Sequence, residues 1–181
     1  MKLNNRGMTL VEMIVAFAIL GLVSTSIFSM ILTGTKTYTK LTNTVKLQYE
    51  AQLATANIEK RILNCNDAVA WSDANKSLIL VEDGKVNVAH WDSSSKKLYY
   101  GTAELVAEGT TNVSMYLLAE HVTGFVASME TVTEGSDVLV QKVQFSVTLE
   151  HNKQTYTREK AVALRNLPPK KDIAIGFTLI N

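Results

Sequence analysis

One carboxylate sits inside the longest apolar run of this chain, and that pairing limits what the first third of the molecule can be. From Gly7 to Thr35 the only charged side chain is Glu12, and everything else from Met8 to Leu32 is apolar, Gly, Ser or Thr. A helix through those residues, rising about 1.5 Å per residue, reaches roughly 37 Å, enough to cross a bilayer core of about 30 Å. Insertion scales place an acidic residue at the bilayer centre near about +3 kcal/mol, and lower toward an end. A carboxylate kept at that expense points to a function, and its partner should be identifiable.

Lys2 and Arg6 lie just before the run. Under the positive-inside rule the N-terminus then faces the cytoplasm and the rest of the chain lies across the membrane. A cut between Gly7 and Met8 would create an α-amine at Met8, one helical turn from Glu12. A buried ammonium and a buried carboxylate compensate each other, within one chain or between neighbours. Two plainer readings compete. A secretory signal peptide also starts basic and turns apolar, but its core runs about 7–15 residues and ends in a small-residue cleavage site. Here the run is longer, holds Glu12 and has no Ala-x-Ala near its end. A plain single-pass anchor would leave Glu12 incidental.

The stretch Arg6-Gly7-Met8-Thr9-Leu10-Val11-Glu12-Met13 resembles the class III signal of type IV prepilins and pseudopilins: a short basic leader ending in Gly, a cut before an apolar residue, then Thr-Leu-Val/Ile-Glu. Met8 stands where that family most often has Phe. The family's frequent helix-melting Pro near Ser29 is also missing, so the apolar helix is expected to be continuous. The resemblance implies that prepilin peptidase cuts after Gly7 and methylates the Met8 amine, with Lys2 and Arg6 as leader charge. It implies that Glu12 neutralises a neighbour's N-terminal charge as the helix moves from the bilayer into a filament. The implied partners are that peptidase, other major and minor pilins, a membrane-embedded assembly platform and, before assembly, the lipid bilayer. The implied location is a single-pass cytoplasmic-membrane protein with an extracytoplasmic domain, later a pilus or pseudopilus filament.

Beyond Leu32 the expected organisation is a leader at 1–7, a membrane and assembly helix at 8–32, an amphipathic continuation at 33–66 and a β-rich domain at 67–181. Leu41, Val45, Leu53, Ala56, Ile58, Ile62 and Leu63 mark an apolar stripe that could lie on a sheet. The weak point is Thr33 to Thr44, whose six threonines favour helix poorly and leave a melted segment open. After Asp67 the period changes from 3.6 to 2. Ser77–Val81 and Lys85–His90 flank Glu82-Asp83-Gly84 as a hairpin. Lys97–Gly101 follows a turn at 92–96, residues 102–112 read as loop, and Val113–Val122 is open between helix and strand. Gly124–Val132 and Val138–Glu150 alternate as strands, and Gln154–Arg165 returns after a turn. Pro168-Pro169-Lys170-Lys171 should halt that sheet, leaving Ile173–Ile180 as a cap or an edge strand. The expected class is α+β: a long N-terminal helix packed on antiparallel sheet.

Within the family, the His90-Trp91-Asp92 and Lys97-Leu98-Tyr99-Tyr100 segments, the Leu117–Phe125 stretch and a close in Leu164-Arg165-Asn166 resemble the minor members of the PilW/pseudopilin J group. That resemblance implies a minor subunit that primes or caps assembly.

Composition excludes several functions. A net charge of +1 offers no field for nucleic acid or acidic substrates. The single cysteine, Cys65, allows no internal disulfide and reads as a small buried hydrophobe. His90, His121 and His151 stand about thirty residues apart with no metal-ligand spacing around them. Asp67, Asp73 and Asp92 lack the spacing of a calcium loop. No phosphate loop or nucleophile motif is present. The expected protein is therefore not an enzyme and has no metal or cofactor. The alternative is a binding module displayed on a filament, touching DNA, a surface or a secreted substrate through exposed aromatics drawn from Trp71, Trp91, Tyr99 and Tyr100.

Overall fold

The computed structural model describes residues 8–105, 111–171 and 175–179. A single helix, α1, runs Leu10–Asn64. It is unbroken through the Thr-rich stretch, so the melted alternative does not hold. The reason lies in the hydroxyls. Thr35, Thr39 and Thr42 each donate to the carbonyl four residues back, at 2.9–3.0 Å. Back-bonding of this kind satisfies the side chain inside the helix instead of against it.

Nine strands follow among the described residues: β1 Ala68–Ser72, β2 Ser77–Glu82, β3 Lys85–Asp92, β4 Lys97–Glu104, β5 Thr111–Ala119, β6 Val122–Glu134, β7 Asp137–His151, β8 Gln154–Ala163 and β9 Ile175–Leu179. They form a six-stranded sheet, β1-β2-β3-β4-β5-β9, and a three-stranded sheet, β6-β7-β8. All pairings are antiparallel except β5 with β9, which is parallel. The class is α+β as expected, with the single sheet of the sequence reading resolved into two. Asp83 and Gly84 both take positive φ (48° and 74°), the twist a two-residue hairpin requires.

Pro168–Lys171 ends β8 but joins the two sheets. The Val140 N–H donates to the Pro168 carbonyl and the Lys170 N–H to that of Val138, along β7. The Val69 N–H donates to the Pro169 carbonyl and the Lys171 N–H to that of Val69, along β1. Four peptide links separate Lys171, beside β1, from Ile175, paired with Thr111 on β5. Four links reach at most about 14 Å. In a flat sheet the two positions would be six strand spacings apart, roughly 29 Å. The six-stranded sheet is therefore rolled, with its two edges brought together. Its inner face is a closed apolar core of Ala68, Ala70, Ile79, Val81, Val86, Val88, Tyr99, Val113 and Met115. Gly101 faces this interior, where an added Cβ would meet the Ser114 carbonyl oxygen at 2.5 Å and Met115 Sδ at 2.7 Å.

The second core lies outside the roll. Val69, Leu78, Leu80, Ala89 and Leu98 from the roll's outer face pack with Phe125, Val143, Phe145, Val147 and Leu149 from the small sheet. Trp71 meets Phe125 edge-on, with ring centroids 5.6 Å apart. The helix adds Leu47, Ala51, Ala54, Ile58 and Ile62. This corrects the expected stripe: of its seven residues only Ile58 and Ile62 are buried, while Leu41, Val45, Leu53, Ala56 and Leu63 are exposed. The helix is apolar on two opposite faces, and the buried one carries the alanines, which let backbone approach sheet closely.

Two cohesive units divide the chain, one through Thr42 and one from Asn43. Polar pairs tie the helix into the second unit. Thr44 Oγ1 donates to Gln154 Oε1 at 2.7 Å, and Lys160 Nζ pairs with Glu59 at 3.1 Å. Arg61 lies over the Tyr100 ring, 5.4 Å from its centroid. Below it, the Tyr100 hydroxyl donates to the buried Asn87 at 2.7 Å.

Candidate assembly site at the helix N-terminus

A helix begins with four backbone N–H groups that have no intrahelical partner. In water they are solvated, whereas in hydrocarbon each unsatisfied group costs several kcal/mol. Thr9 and Glu12 solve this locally for two of the four. The Thr9 N–H donates to Glu12 Oε2 at 2.8 Å, and the Thr9 hydroxyl donates to the same oxygen at 2.9 Å. In return Thr9 Oγ1 accepts the Glu12 N–H at 3.2 Å. This is a reciprocal capping box, with Thr9 at the N-cap and Glu12 three residues on. The carboxylate also sits where the positive end of the helix dipole favours it. The sequence reading assigned Glu12 only to a charge partner. The Thr-x-x-Glu spacing was the available signal for this second role.

Met8 immediately precedes the cap and is exposed, so an α-amine placed there would share the helix end that holds the Glu12 carboxylate. Gly7, Lys2 and Arg6, the other residues of the expected cleavage signal, lie outside the described residues. Downstream, every residue from Leu10 through Thr42 is exposed. The helix is long and apolar enough to cross a membrane by length and composition. Two of its polar side chains there turn back on the helix: the hydroxyls of Thr25 and Ser26 both donate to the Leu22 carbonyl, at 2.9 and 3.0 Å.

The other residues singled out in the sequence go elsewhere. Trp71 and Trp91 are half-buried against the core, and Tyr99 is inside the roll. Tyr100 is half-buried beneath Arg61, so the four do not form an exposed aromatic patch. Ser77 Oγ and His90 Nδ1 are 2.9 Å apart, a distance that suits a nucleophile and its base. The Ser77 hydroxyl, however, donates to the Asn75 carbonyl at 2.8 Å, and His90 Nδ1 faces that same oxygen at 2.8 Å, which only an N–H can satisfy. Ser77 is fully buried, so the pair closes a turn and activates nothing. Burial holds the His90 imidazole below its ordinary value. Cys65 is a free, buried thiol, bonded to the carbonyls of Ala68 and Val81 at 3.1 and 3.2 Å. Burial pushes it up to about 11. Among the described residues no three His, Cys, Asp or Glu gather into a metal-binding group. Two of the histidines, expected to stand apart, do come together: the rings of His121 and His151 have centroids 4.2 Å apart.

A family model described as the prokaryotic N-terminal methylation motif matches residues 2–34. No curated protein matches the chain. The matched span covers the expected leader, Met8, the Thr9–Glu12 box and the apolar helix as far as Gly34.

Proposed function

We propose, from the premise that this chain carries a type IV prepilin-like class III signal, that it is a minor pilin or pseudopilin, a structural subunit that primes or caps a type IV pilus-like filament. The observation that carries the reading is the Thr9–Glu12 box at the head of a fully exposed apolar helix. In the bilayer the carboxylate is held by its own Thr9, which lets the precursor wait there without a partner. Prepilin peptidase cuts after Gly7 and methylates the Met8 amine. The new cation arises within a helical turn of Glu12, and either this amine or a neighbour's can take over from Thr9 as the carboxylate's partner. The helix then passes from lipid into a bundle of similar helices contributed by other pilins, guided by a membrane-embedded platform. The β-rich unit stays on the extracytoplasmic side.

Separating cleavage from assembly tests this. Glu12→Val removes the only charge in the span and should leave cleavage and insertion intact. The mature variant should fractionate with membrane and be missing from sheared filament. Normal incorporation of Glu12→Val into filament would refute the role given to the carboxylate.

A further inference from the structure

His121 and His151 meet across two turns that sequence separates by thirty positions. His121 occupies the β5–β6 turn with φ 59°, and His151 ends β7 ahead of Asn152 and Lys153, themselves at φ 51° and 62°. The turns are locked together. The Glu150 N–H donates to the His121 carbonyl at 2.8 Å, and the Val122 N–H anchors the β5–β6 turn to a third turn by donating to the Lys96 carbonyl at 2.8 Å. The two imidazoles are 4.2 Å apart at their centroids and tilted by 41°. Both are half-exposed, and among the described residues neither ring has a hydrogen-bond partner. Left-handed backbone at a non-glycine residue carries strain. Here it holds His121 on a turn beside His151, with both rings reachable from solvent.

The spacing suits a shared ion. With a metal–nitrogen bond of roughly 2.0–2.1 Å, two imidazoles at adjacent positions around one ion have ring centres roughly 4.5–5 Å apart, so a small side-chain rotation brings this pair onto one ion. The geometry points to a two-imidazole site for a divalent transition cation of the copper, nickel or zinc type, the ions that imidazole selects over magnesium and calcium. Two protein ligands leave the remaining positions to water, so the site is exchangeable and contributes nothing to folding without metal. The flanking carboxylates are poorly placed to close it: Glu120 pairs with Lys97 at 3.7 Å, and Glu150 alternates with His151 along β7.

A nearby reporter makes the site testable. Trp91 Nε1 donates to the Val122 carbonyl at 3.0 Å, one residue from His121. Untagged full-length protein in detergent is titrated with Cu²⁺ or Ni²⁺ while tryptophan emission and backbone amide resonances are followed. The expected result is quenching of emission, with broadening confined to amides around 120–122 and 150–152. Zn²⁺ should reverse both effects, and Mg²⁺ and Ca²⁺ should have none. His121→Asn and His151→Asn should each abolish the response. Because both rings are half-exposed, neither variant should lose its fold. A second reading needs no variant: Zn²⁺ should protect these two histidines, and not His90, from carbethoxylation. A response that persists in the double variant, no response with metal in excess over protein, or no Zn²⁺ protection would each overturn the assignment.

Discussion

The stretches of α1 on either side of Thr42 are written in the same alphabet for two different solvents. From Leu10 to Thr42 every residue is exposed, and apolar side chains point all round the helix. From Asn43 onward one face closes completely: Leu47, Ala51, Ala54, Thr55, Ile58 and Ile62 are buried, while Val45, Tyr49 and Leu53 opposite them stay open. A helix apolar on every side belongs in lipid or inside a protein. One with a single buried stripe belongs on a sheet. The lesson is that hydrophobicity alone does not say where a helix is buried. What separates the two stretches is side-chain size on the facing stripe and the presence of a sheet for it to face.

The largest effect should come from the head of the first stretch. Gly7→Val should leave the precursor uncut in the presence of prepilin peptidase, whereas the parent loses seven residues, a difference read by intact mass. A mature chain beginning anywhere beyond Met8 would break the class III reading and with it the argument that this stretch is built for lipid.

Next is the contrast between faces. Leu47→Ala or Ile58→Ala should cost about 2–5 kcal/mol of unfolding free energy, the range for large-to-small core changes. Leu41→Ala and Val45→Ala, on exposed positions, should stay within about 0.5 kcal/mol. Chemical denaturation of a chain lacking residues 1–42 would measure Leu47, Ile58 and Val45, and detergent-solubilised full-length protein would measure Leu41. Equal costs on both faces would erase the distinction. Inside the roll, Gly101→Ala should cost about 1–3 kcal/mol by overpacking against Val113 and Met115.

Much of this architecture is legible in the sequence, and the misses share a cause. The hairpin at Asp83-Gly84 and the alternation of Val143, Phe145, Val147 and Leu149 were readable because turn chemistry and period are local. Strand β1 was not, because Ala68, Val69 and Ala70 are buried on both faces and show no alternation. Strand β5 stayed open between helix and strand because Tyr116 and Leu117 are exposed while Val113 and Met115 are buried, so apolar residues fall on both its sides. The helix stripe was misplaced for the same reason. The proline pair was read only as a stop, since a segment that serves two sheets at once leaves no periodic mark. In the assembly site the acid was legible from its cost, while its cap went unread although the Thr-x-x-Glu spacing carried the signal. The His121–His151 contact depends wholly on tertiary folding.

Smaller effects sharpen the boundary. Thr9→Val should remove the cap's hydroxyl and cost about 1 kcal/mol of helix-end stability, visible as faster amide exchange over 10–13 with the 43–64 stretch unchanged. Cys65 should resist alkylation in the folded protein and react on unfolding. Its thiol is held protonated by burial, so stability should fall as pH rises from about 9 to about 11. At the acid end, hydrogen bonds from Ser94 and Ser95 lower Asp92 to about 2. Its contribution is full above the ordinary value near 3.8 and is lost as pH falls toward about 2. Being half-exposed at a turn, it should amount to less than about 1 kcal/mol. His90, lowered by burial, should cost stability as pH drops below its ordinary 6.5.

The rolled sheet also sets an order of events in time. Its edges are joined by residues 168–171 and 175–179, while its first strand begins at Ala68. Contacts so distant along the chain form slowly, because the intervening loop must close before they are rewarded. During synthesis β1 to β5 emerge early and must wait, their inner face of Ile79, Val81, Val86 and Val88 open, until the prolines and β9 arrive. That interval is when a chaperone or protease can act on the chain, and it ends only when the last strand clicks into place beside β5.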